Sequence, residues 1–314
     1  MYEHWNVIII GAGTMGSGIA QVIASKGIKT TLLDQKIEFC DRAKDLIKKN
    51  VDFLISEELA DADYRSRTET NITYDVTDNL EKYAPKADMC IEAIFENAEA
   101  KKELFSRLDK LCRADCILAS NTSASNIFEI APVSNPDRQI ITHWFNPPFV
   151  MDLVEVVMGP ETSEEVLKEV NSFLIFLEKN PAVIRHYIPG FIVNRIANAI
   201  LREASYMVKQ GWTTPADIDT AIRETNGIRY SFEGPMALFD IVGWDLINTV
   251  SKDLFKSLSN NTDGSTLSAK LVKEGKLGLK TGGGIYDYGG RDANLYMNDR
   301  SKKIIKMAKS IKAM

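Results

Sequence analysis

The sequence predicts an α/β protein in which a mostly parallel sheet is followed by a second, all-helical domain. In the first half, short apolar or β-branched runs alternate with longer helical stretches. Strands separated by helices favour a parallel sheet that is covered on both faces. Residues 186–190 break this alternation, and the pattern beyond them is helical. We therefore expect one domain over residues 1–187 and a second over 188–314.

The strands of the sheet are expected where the apolar runs occur. These runs are residues 7–10, 30–33, 89–94, 116–119, 139–142, 153–157 and 181–184. The first two are joined by a helix over residues 15–26, which has an apolar stripe and stops at Gly27. A second helix is expected over residues 163–177. The chain therefore opens with a βαβ unit.

The second domain is expected to begin with a long apolar helix over residues 191–208. Another helix should start at Thr214, because Pro215 then occupies the first helical position. The chain extends beyond about residue 288, where residues 289–298 are polar and residues 300–314 form a basic amphipathic segment. We expect that segment to be a solvated helix that packs on its own or a partner subunit.

Composition excludes several classes of protein. The 314 residues carry a formal net charge of -5, with 45% hydrophobic and 26% charged residues. This mild acidity predicts no nucleic-acid binding, and the lack of a long apolar run predicts no membrane span. We expect a cytoplasmic protein. The four cysteines (Cys40, Cys90, Cys112 and Cys116) have neither disulfide-framework nor metal-ligand spacing, so we expect reduced structural thiols and no metal.

A glycine-rich loop follows the first predicted strand and opens the first helix. Gly11 permits a tight turn, Gly13 lets the backbone approach a pyrophosphate, and Gly16 allows close helix–strand packing. The amide groups around Thr14 and Met15 lie at the helix amino end, which favours anions. This fingerprint predicts a Rossmann-type dinucleotide site.

An acidic residue closes the second predicted strand. Asp34 lies where a carboxylate accepts hydrogen bonds from an adenosine ribose, and it disfavours a 2′-phosphate by like-charge repulsion. Lys36 is the only nearby cation in the sequence and weakens this preference slightly. The expected cofactor is NAD rather than NADP.

A histidine and a glutamate form the candidate catalytic pair. His143 lies at the carboxyl end of a predicted strand, where open α/β sheets present their ligands. Glu155 interrupts an otherwise apolar strand, and a buried carboxylate is costly unless it is paired. An imidazole is its natural partner, and such a pair makes the histidine a stronger base for a hydroxyl proton.

These residues belong to a set of motifs that resembles one family, the short-chain L-3-hydroxyacyl-CoA dehydrogenases, including bacterial and archaeal 3-hydroxybutyryl-CoA dehydrogenases. The similarity runs in order from about residue 5 to 288. It is carried by the segments at residues 11–20, 92–97, 120–123, 143–147, 153–157, 190–195, 234–235 and 276–282.

The resemblance implies NAD-dependent interconversion of (S)-3-hydroxyacyl-CoA and 3-oxoacyl-CoA, with an acyl-CoA as the small-molecule partner. His143 would take the proton of the substrate hydroxyl, and Glu155 would orient it. Ser123 would hydrogen-bond the reacting oxygen, Asn194 would hold the substrate from the second domain, and Asn146 would assist near the thioester or the histidine. Trp144 and Phe149 predict a bulky apolar wall near the base, which favours a short acyl chain.

Further positions match the cofactor side of the family's site. By the same resemblance, Glu96, Lys101 and Asn121 would line the nicotinamide side of the NAD site, together with Ser123 and Asn146. The helical second domain is expected to form a homodimer interface.

The resemblance is weakest over residues 41–79. In the family this segment bears a helical hairpin that grips coenzyme A, and here Lys48 and Lys49 are the candidate phosphate contacts. Two alternatives therefore stay open: a relative that oxidises a free sugar acid such as gulonate, and a crystallin-like protein that binds the nucleotide without turnover. The His143–Glu155 pair favours an enzyme.

Overall fold

The first half of the chain forms one sheet. The computed structural model describes residues 2–312, and within them the sheet has eight strands in the order β3-β2-β1-β4-β5-β6-β7-β8. The strands are β1 Asn6–Ile10, β2 Lys29–Asp34, β3 Ile72–Val76, β4 Met89–Glu92, β5 Ile117–Ser120, β6 Gln139–Trp144, β7 Leu153–Met158 and β8 Asn180–Ile184. All neighbours pair in parallel except β6 and β7, which are antiparallel. The predicted mostly parallel, Rossmann-type sheet is confirmed.

The topology fixes where a ligand binds. The chain proceeds from β1 outward through β2 to β3, and then returns to place β4 on the other side of β1. In such sheets the crevice lies at the carboxyl ends of the strands, where the strand order reverses. The carboxyl ends of β1, β2, β4, β5 and β6 share one edge of the sheet, because these strands are all parallel.

Helices cover both faces of this sheet. They are α1 Thr14–Ser25, α2 Ile37–Ser56, α3 Tyr64–Asn71, α4 Leu80–Tyr83, α5 Ala98–Leu111, α6 Ile127–Ile130 and α7 Glu164–Phe176. One apolar core joins the sheet to α1, α2 and α7 and contains Ile23, Val51 and Phe173. The other core lies on the opposite face and contains Phe105 and Leu108 of α5. Both faces are therefore buried, as continuous apolar strands require.

The strand β3 was not predicted from the sequence. It lies at the edge of the sheet, and only Ile72 of its five residues is buried, so it lacks the apolar run that reveals an interior strand. Immediately before it, α3 packs on α1: the Gln21 amide donates to the Tyr64 hydroxyl (3.3 Å), and Arg67 donates to the Ser25 carbonyl (2.7 Å). Lys48 and Lys49 are exposed on α2.

The chain divides into two compact units, the first ending at Val193 and the second beginning at Asn194. The described part of the second unit is helical, as predicted. Its helices are α8 Val193–Lys209, α9 Pro215–Glu224, α10 Asn226–Arg229, α11 Pro235–Val242, α12 Trp244–Ser257, α13 Thr266–Lys273 and α14 Ala293–Lys312. Only the first residue of α8 belongs to the first unit. The last helix begins at Ala293, within the polar stretch that we expected to precede it. The end of that predicted segment, residues 313 and 314, lies outside the described residues.

Large apolar side chains of the second unit are exposed. Trp212 is 61% exposed, Phe232 65%, Phe255 71% and Ile241 74%. Among the described residues, no helix has the length and apolar composition that a membrane crossing needs. Ile241 and Phe255 lie on α11 and α12, whereas Trp212 and Phe232 lie in the connections between helices.

Candidate active site

The glycine loop between β1 and α1 is shaped by close backbone contacts. Gly11 has φ +111°, and a Cβ atom on it would lie 2.4 Å from the Ala93 carbonyl oxygen. A Cβ atom on Gly16 would lie 1.8 Å from the Gly11 carbonyl oxygen. Gly13 differs, because a Cβ atom there meets nothing within 4 Å. Two glycines thus hold the turn together, while the third leaves open space for a ligand.

Alanine substitutions should separate these two roles. Gly16→Ala is expected to lower the free energy of unfolding by about 3 kcal/mol, because its methyl group collides with rigid backbone. Gly13→Ala should fold with near-wild-type stability and weaken NADH binding, since its methyl group fills the space a pyrophosphate needs. Urea unfolding and fluorescence titration with NADH measure the two effects. Equal loss of stability in both variants would contradict this division.

The amino end of α1 fits a dinucleotide. Gly13 is the N-cap residue and makes no side-chain cap hydrogen bond, so the first amide groups of α1, around Thr14 and Met15, are left for an anion. Asp34 ends β2 and braces the loop, because its carboxylate accepts the backbone N–H of Ala12 at 2.6 Å. The residues present thus match a pyrophosphate followed by a ribose.

A cleft of about 440 Å³ lies beside this loop. It is lined by Ile10, Gly11, Ala12, Gly13, Asp34, Gln35, Phe39, Arg42, Thr77, Ala93, Ile94 and Phe95. The expectation that Lys36 is the only nearby cation is wrong, because Arg42 also lines the cleft, with its guanidinium 4.6 Å from the centre of the Phe39 ring. Arg42 was not predicted because it lies in the second turn of α2, well beyond the end of β2 along the chain. The Asp34 carboxylate and the Arg42 guanidinium therefore line the same cleft.

The candidate base is held by its cross-strand neighbour. His143 on β6 pairs in register with Glu155 on β7, and its Nδ1 lies 2.8 Å from Glu155 Oε2. Glu155 is 0% exposed and His143 7%. The aromatic rings of Phe145 and Phe191 lie 4.6 and 5.5 Å from the imidazole. Because Nδ1 is bound to the carboxylate, Nε2 is the nitrogen left to exchange a proton with a substrate.

Glu155 makes further hydrogen bonds that keep it ionised. Its Oε1 accepts the backbone N–H groups of Ile192 (2.9 Å) and Val193 (2.8 Å), where α8 begins. Burial alone raises the pKa of Glu155, but the hydrogen bond to His143 and these two N–H groups outweigh it and hold the pKa below its ordinary value. The carboxylate therefore stays negative next to the imidazole.

A second buried carboxylate lies at the end of β4. Lys101 is 1% exposed and Glu92 0%, and the Lys101 ammonium lies 2.7 and 2.8 Å from the two Glu92 oxygens. Glu92 also accepts hydrogen bonds from the Ser120 hydroxyl and the Ile94 N–H. This fully paired network fixes the ends of β4 and β5 next to each other.

Glu96 links that network to the loop after β5. Its carboxylate lies 3.5 Å from Lys101 Nζ and accepts hydrogen bonds from the Thr122 hydroxyl (2.7 Å), the Ser125 hydroxyl (2.8 Å) and the Ser123 N–H (3.1 Å). Burial raises the pKa of Glu96, but these hydrogen bonds and the Lys101 charge lower it below its ordinary value. Lys101 is buried, so its predicted role at the nicotinamide would be exerted through Glu96.

The remaining predicted residues lie in loops or at the start of α8. Asn121 follows β5, and its side-chain oxygen accepts the Trp144 N–H at 2.9 Å, which ties the ends of β5 and β6 together. Ser123 and Asn146 are exposed in the loops after those strands. Asn194 is the first residue of the second unit, and its carbonyl accepts the Asn198 amide at 2.9 Å. The substrate-binding roles of Ser123, Asn146 and Asn194 stay predictions.

The structure reveals two groups that we did not predict. Glu92 carries the same signal as Glu155, a carboxylate inside an apolar run, but the predicted strand extended past it to residue 94. The N–H groups of Ile192 and Val193 could not be predicted from the sequence, because any residue except proline offers the same backbone donor.

A glycine loop, an aspartate at the end of the second strand and a histidine–glutamate pair, all on a mostly parallel sheet, are typical of a nicotinamide-nucleotide-dependent dehydrogenase. Residues 6–187 match the 3-hydroxyacyl-CoA dehydrogenase NAD binding domain, and residues 190–288 match the 3-hydroxyacyl-CoA dehydrogenase C-terminal domain. The chain belongs to this family, as predicted, and is an NAD-dependent oxidoreductase.

Individual relatives differ in their substrates. The chain is 37% identical to a probable 3-hydroxybutyryl-CoA dehydrogenase of Bacillus subtilis, over 91% of this chain and 98% of that one. It is 30% identical to the 5-formyl-3-hydroxy-2-methylpyridine 4-carboxylate 5-dehydrogenase of Mesorhizobium japonicum, over 96% of both chains. A solved structure of a dehydrogenase of that pyridine acid, an NAD+-dependent dismutase, superposes with a TM-score of 0.87 over 98% of both chains at 29% identity.

Proposed function

We propose that the protein interconverts a short-chain (S)-3-hydroxyacyl-CoA, such as 3-hydroxybutyryl-CoA, and the corresponding 3-oxoacyl-CoA. The observation that carries this proposal is the 2.8 Å contact between His143 Nδ1 and Glu155 at the edge of the sheet that also bears the glycine loop. A base in that position can take the hydroxyl proton that a secondary alcohol loses when it is oxidised. The family assignment supplies the acyl-CoA.

The chain's own residues perform the proton chemistry. NAD held at the glycine loop would supply the hydride acceptor for the oxidation at C3 of the substrate. His143 Nε2 takes the hydroxyl proton, and Glu155 stabilises the imidazolium that results, because it is an ionised carboxylate in a buried place. Ser123 donates a hydrogen bond to the reacting oxygen, while Asn146 and Asn194 hold the acyl group. In the reverse direction His143 returns its proton to the oxygen.

A second candidate substrate is a small free carboxylic acid of the pyridine type. The specific observation in its favour is the extent of the match to the Mesorhizobium enzyme. That match covers 96% of the chain. Residues 1–288 make up a smaller share than this, so the match extends into the C-terminal segment beyond residue 288. The match to the Bacillus enzyme covers 91% of the chain. A free acid would also need no grip from residues 41–79.

Parallel assays distinguish these candidates. Purified protein receives acetoacetyl-CoA with NADH, and separately gulonate or 5-formyl-3-hydroxy-2-methylpyridine 4-carboxylate with NAD, while both the absorbance of NADH and the loss of substrate are followed. We expect kcat/KM for acetoacetyl-CoA to exceed that for either acid by about 100-fold or more. Preference for the pyridine acid would assign the second candidate, and turnover of gulonate alone would assign a sugar acid. The variant His143→Gln serves as the blank for every substrate.

The exposed apolar helices support a homodimer through the second unit. Side chains such as Phe232, Ile241 and Phe255 are costly to leave in water, and apolar patches of this kind mark subunit interfaces. Light scattering after gel filtration is expected to give twice the mass of one chain. Replacing Ile241, the most exposed of the three, by Asp should give the single-chain mass. A wild-type protein with the mass of one chain would refute the homodimer. A cytoplasmic location stays a prediction.

A further inference from the structure

Three of the four cysteines meet in the core on the α5 face of the sheet. Cys90 lies in β4, Cys112 follows the last residue of α5, and Cys116 immediately precedes β5. Cys90 and Cys116 are 0% exposed and Cys112 is 9% exposed. The cluster lies apart from His143 and the glycine loop, because Cys90 is inside β4 and Cys116 precedes β5, so neither lies at the carboxyl end of its strand. The catalytic chemistry therefore does not use it.

The sulfur spacing fits ligands of one metal ion. Cys90 Sγ lies 3.7 Å from Cys112 Sγ and 3.9 Å from Cys116 Sγ, and all three sulfurs lie within 4.8 Å of one another. Zinc–thiolate bonds of about 2.3 Å in tetrahedral geometry place neighbouring sulfurs about 3.8 Å apart. Two separations therefore match as they stand, and the third needs only a small side-chain adjustment.

We propose that Cys90, Cys112 and Cys116 bind a thiophilic divalent d10 cation of the zinc class. The three thiols deprotonate on binding and supply three ligands, and a water molecule completes the tetrahedron at the Cys112 side. Soft sulfur ligands in an apolar core select such ions over Mg²⁺ or Ca²⁺. The sequence concealed this site, because its ligands come from three separate segments rather than from a CxxC pair.

Access and charge are consistent with this occupant. Cys112 is the most exposed of the three residues, so an ion can enter beside it. Three thiolates and a divalent cation leave one negative charge. The buried Arg138 offsets part of it, since its guanidinium donates to the Cys116 carbonyl at 3.5 Å while also pairing with Asp109 at 2.8 Å. A monovalent cation would leave two negative charges in the same core, at a higher desolvation cost.

Binding would join the middle of β4 to the turn between α5 and β5. Those two strands carry Glu92 and Ser120 at their ends, and the parallel pairing of Cys90 with Leu118 sets their register. A ligand that binds only the folded state stabilises it by mass action. The expected consequence is a higher unfolding temperature without a change in turnover.

Cadmium is the probe for the test, because thiolate-to-cadmium charge transfer absorbs in the ultraviolet. Full-length protein is reduced with a phosphine, freed of metal with a chelator, and titrated with Cd²⁺. We expect the band to rise linearly and saturate at one equivalent. Zn²⁺ should raise the Tm of the same protein, and Cd²⁺ should displace bound zinc because it is the softer cation. The matched control is Cys40→Ala, which removes the buried cysteine outside the cluster and should leave the band unchanged.

Cys112→Ala and Cys116→Ala should each lose the band and the zinc-induced rise in Tm while retaining wild-type NADH oxidation, which verifies that they fold. Absence of the band in wild-type protein, or its survival in both variants, overturns the proposal. A count of two free thiols in denatured protein purified without reductant would also overturn it, because the cluster would then hold a disulfide. If one variant fails to fold, the other decides.

Discussion

His143→Gln is expected to lower kcat by about 10²–10⁴-fold while NADH binding is retained. Glutamine keeps much of the volume and polarity of the side chain but cannot take a proton at neutral pH. The affinity for NADH should persist, because the residues that line the cleft beside Asp34 are unchanged. Turnover with the preferred substrate and fluorescence titration with NADH measure the two quantities.

His186→Gln provides the matched control for this variant. His186 is exposed and lies after β8, so the same substitution should leave kcat at the wild-type value. Activity of His143→Gln close to that of the control would reject His143 as the base. Loss of NADH binding in His143→Gln would instead mean that the histidine holds the cofactor.

Glu155→Gln is expected to lower kcat by at least about 100-fold and the free energy of unfolding by about 2–3 kcal/mol. The glutamine NH₂ group would face either the Ile192 and Val193 N–H groups or His143. The two N–H groups donate hydrogen bonds to Glu155 in the wild type, and His143 holds a proton at its contact with Glu155. A buried donor without an acceptor then results. Steady-state kinetics and urea unfolding at neutral pH measure both losses.

The stability effect of Glu155→Gln should depend on pH in a defined direction. Because the folded protein lowers the pKa of Glu155, this group contributes stability above its ordinary pKa, and the contribution is lost as the pH falls through the lowered value. The difference between wild type and variant should therefore be full at neutral pH and shrink in acid. Glu161→Gln, at an exposed glutamate beyond β7, should show no such difference. A constant difference across this range would show that Glu155 acts through packing alone.

Much of the fold follows from local signals in the sequence. The helix α1 and the strand β1 were predicted because periodicity, a glycine turn and apolar runs agree there. The strand β3 was missed, since an edge strand with one buried residue has no period to detect. The early start of α14 at Ala293 was missed for a related reason. A polar stretch can form a helix or a loop, and tertiary packing rather than local sequence determines which one it adopts.

The candidate site was predictable where burial conflicts with charge. Glu155 drew attention because a carboxylate in an apolar strand needs a partner, and the register of β6 and β7 places His143 directly across from it. The position of Arg42 in the cofactor cleft and the meeting of Cys90 with Cys112 were not predictable in this way. Both depend on how a helix packs against the sheet, which spacing along the chain does not encode.

The two N–H groups at the start of α8 make the hydrogen bonding of the Glu155 carboxylate depend on main-chain geometry. Gly190 and Phe191 precede them with φ values of +79° and +53°, so this short stretch follows a left-handed path that ends on the Glu155 carboxylate. Were the stretch to relax, the carboxylate would lose two donors and the imidazole would lose part of its counter-charge. Substitutions at residues 190–191 would then slow proton transfer without altering any side chain that contacts the substrate.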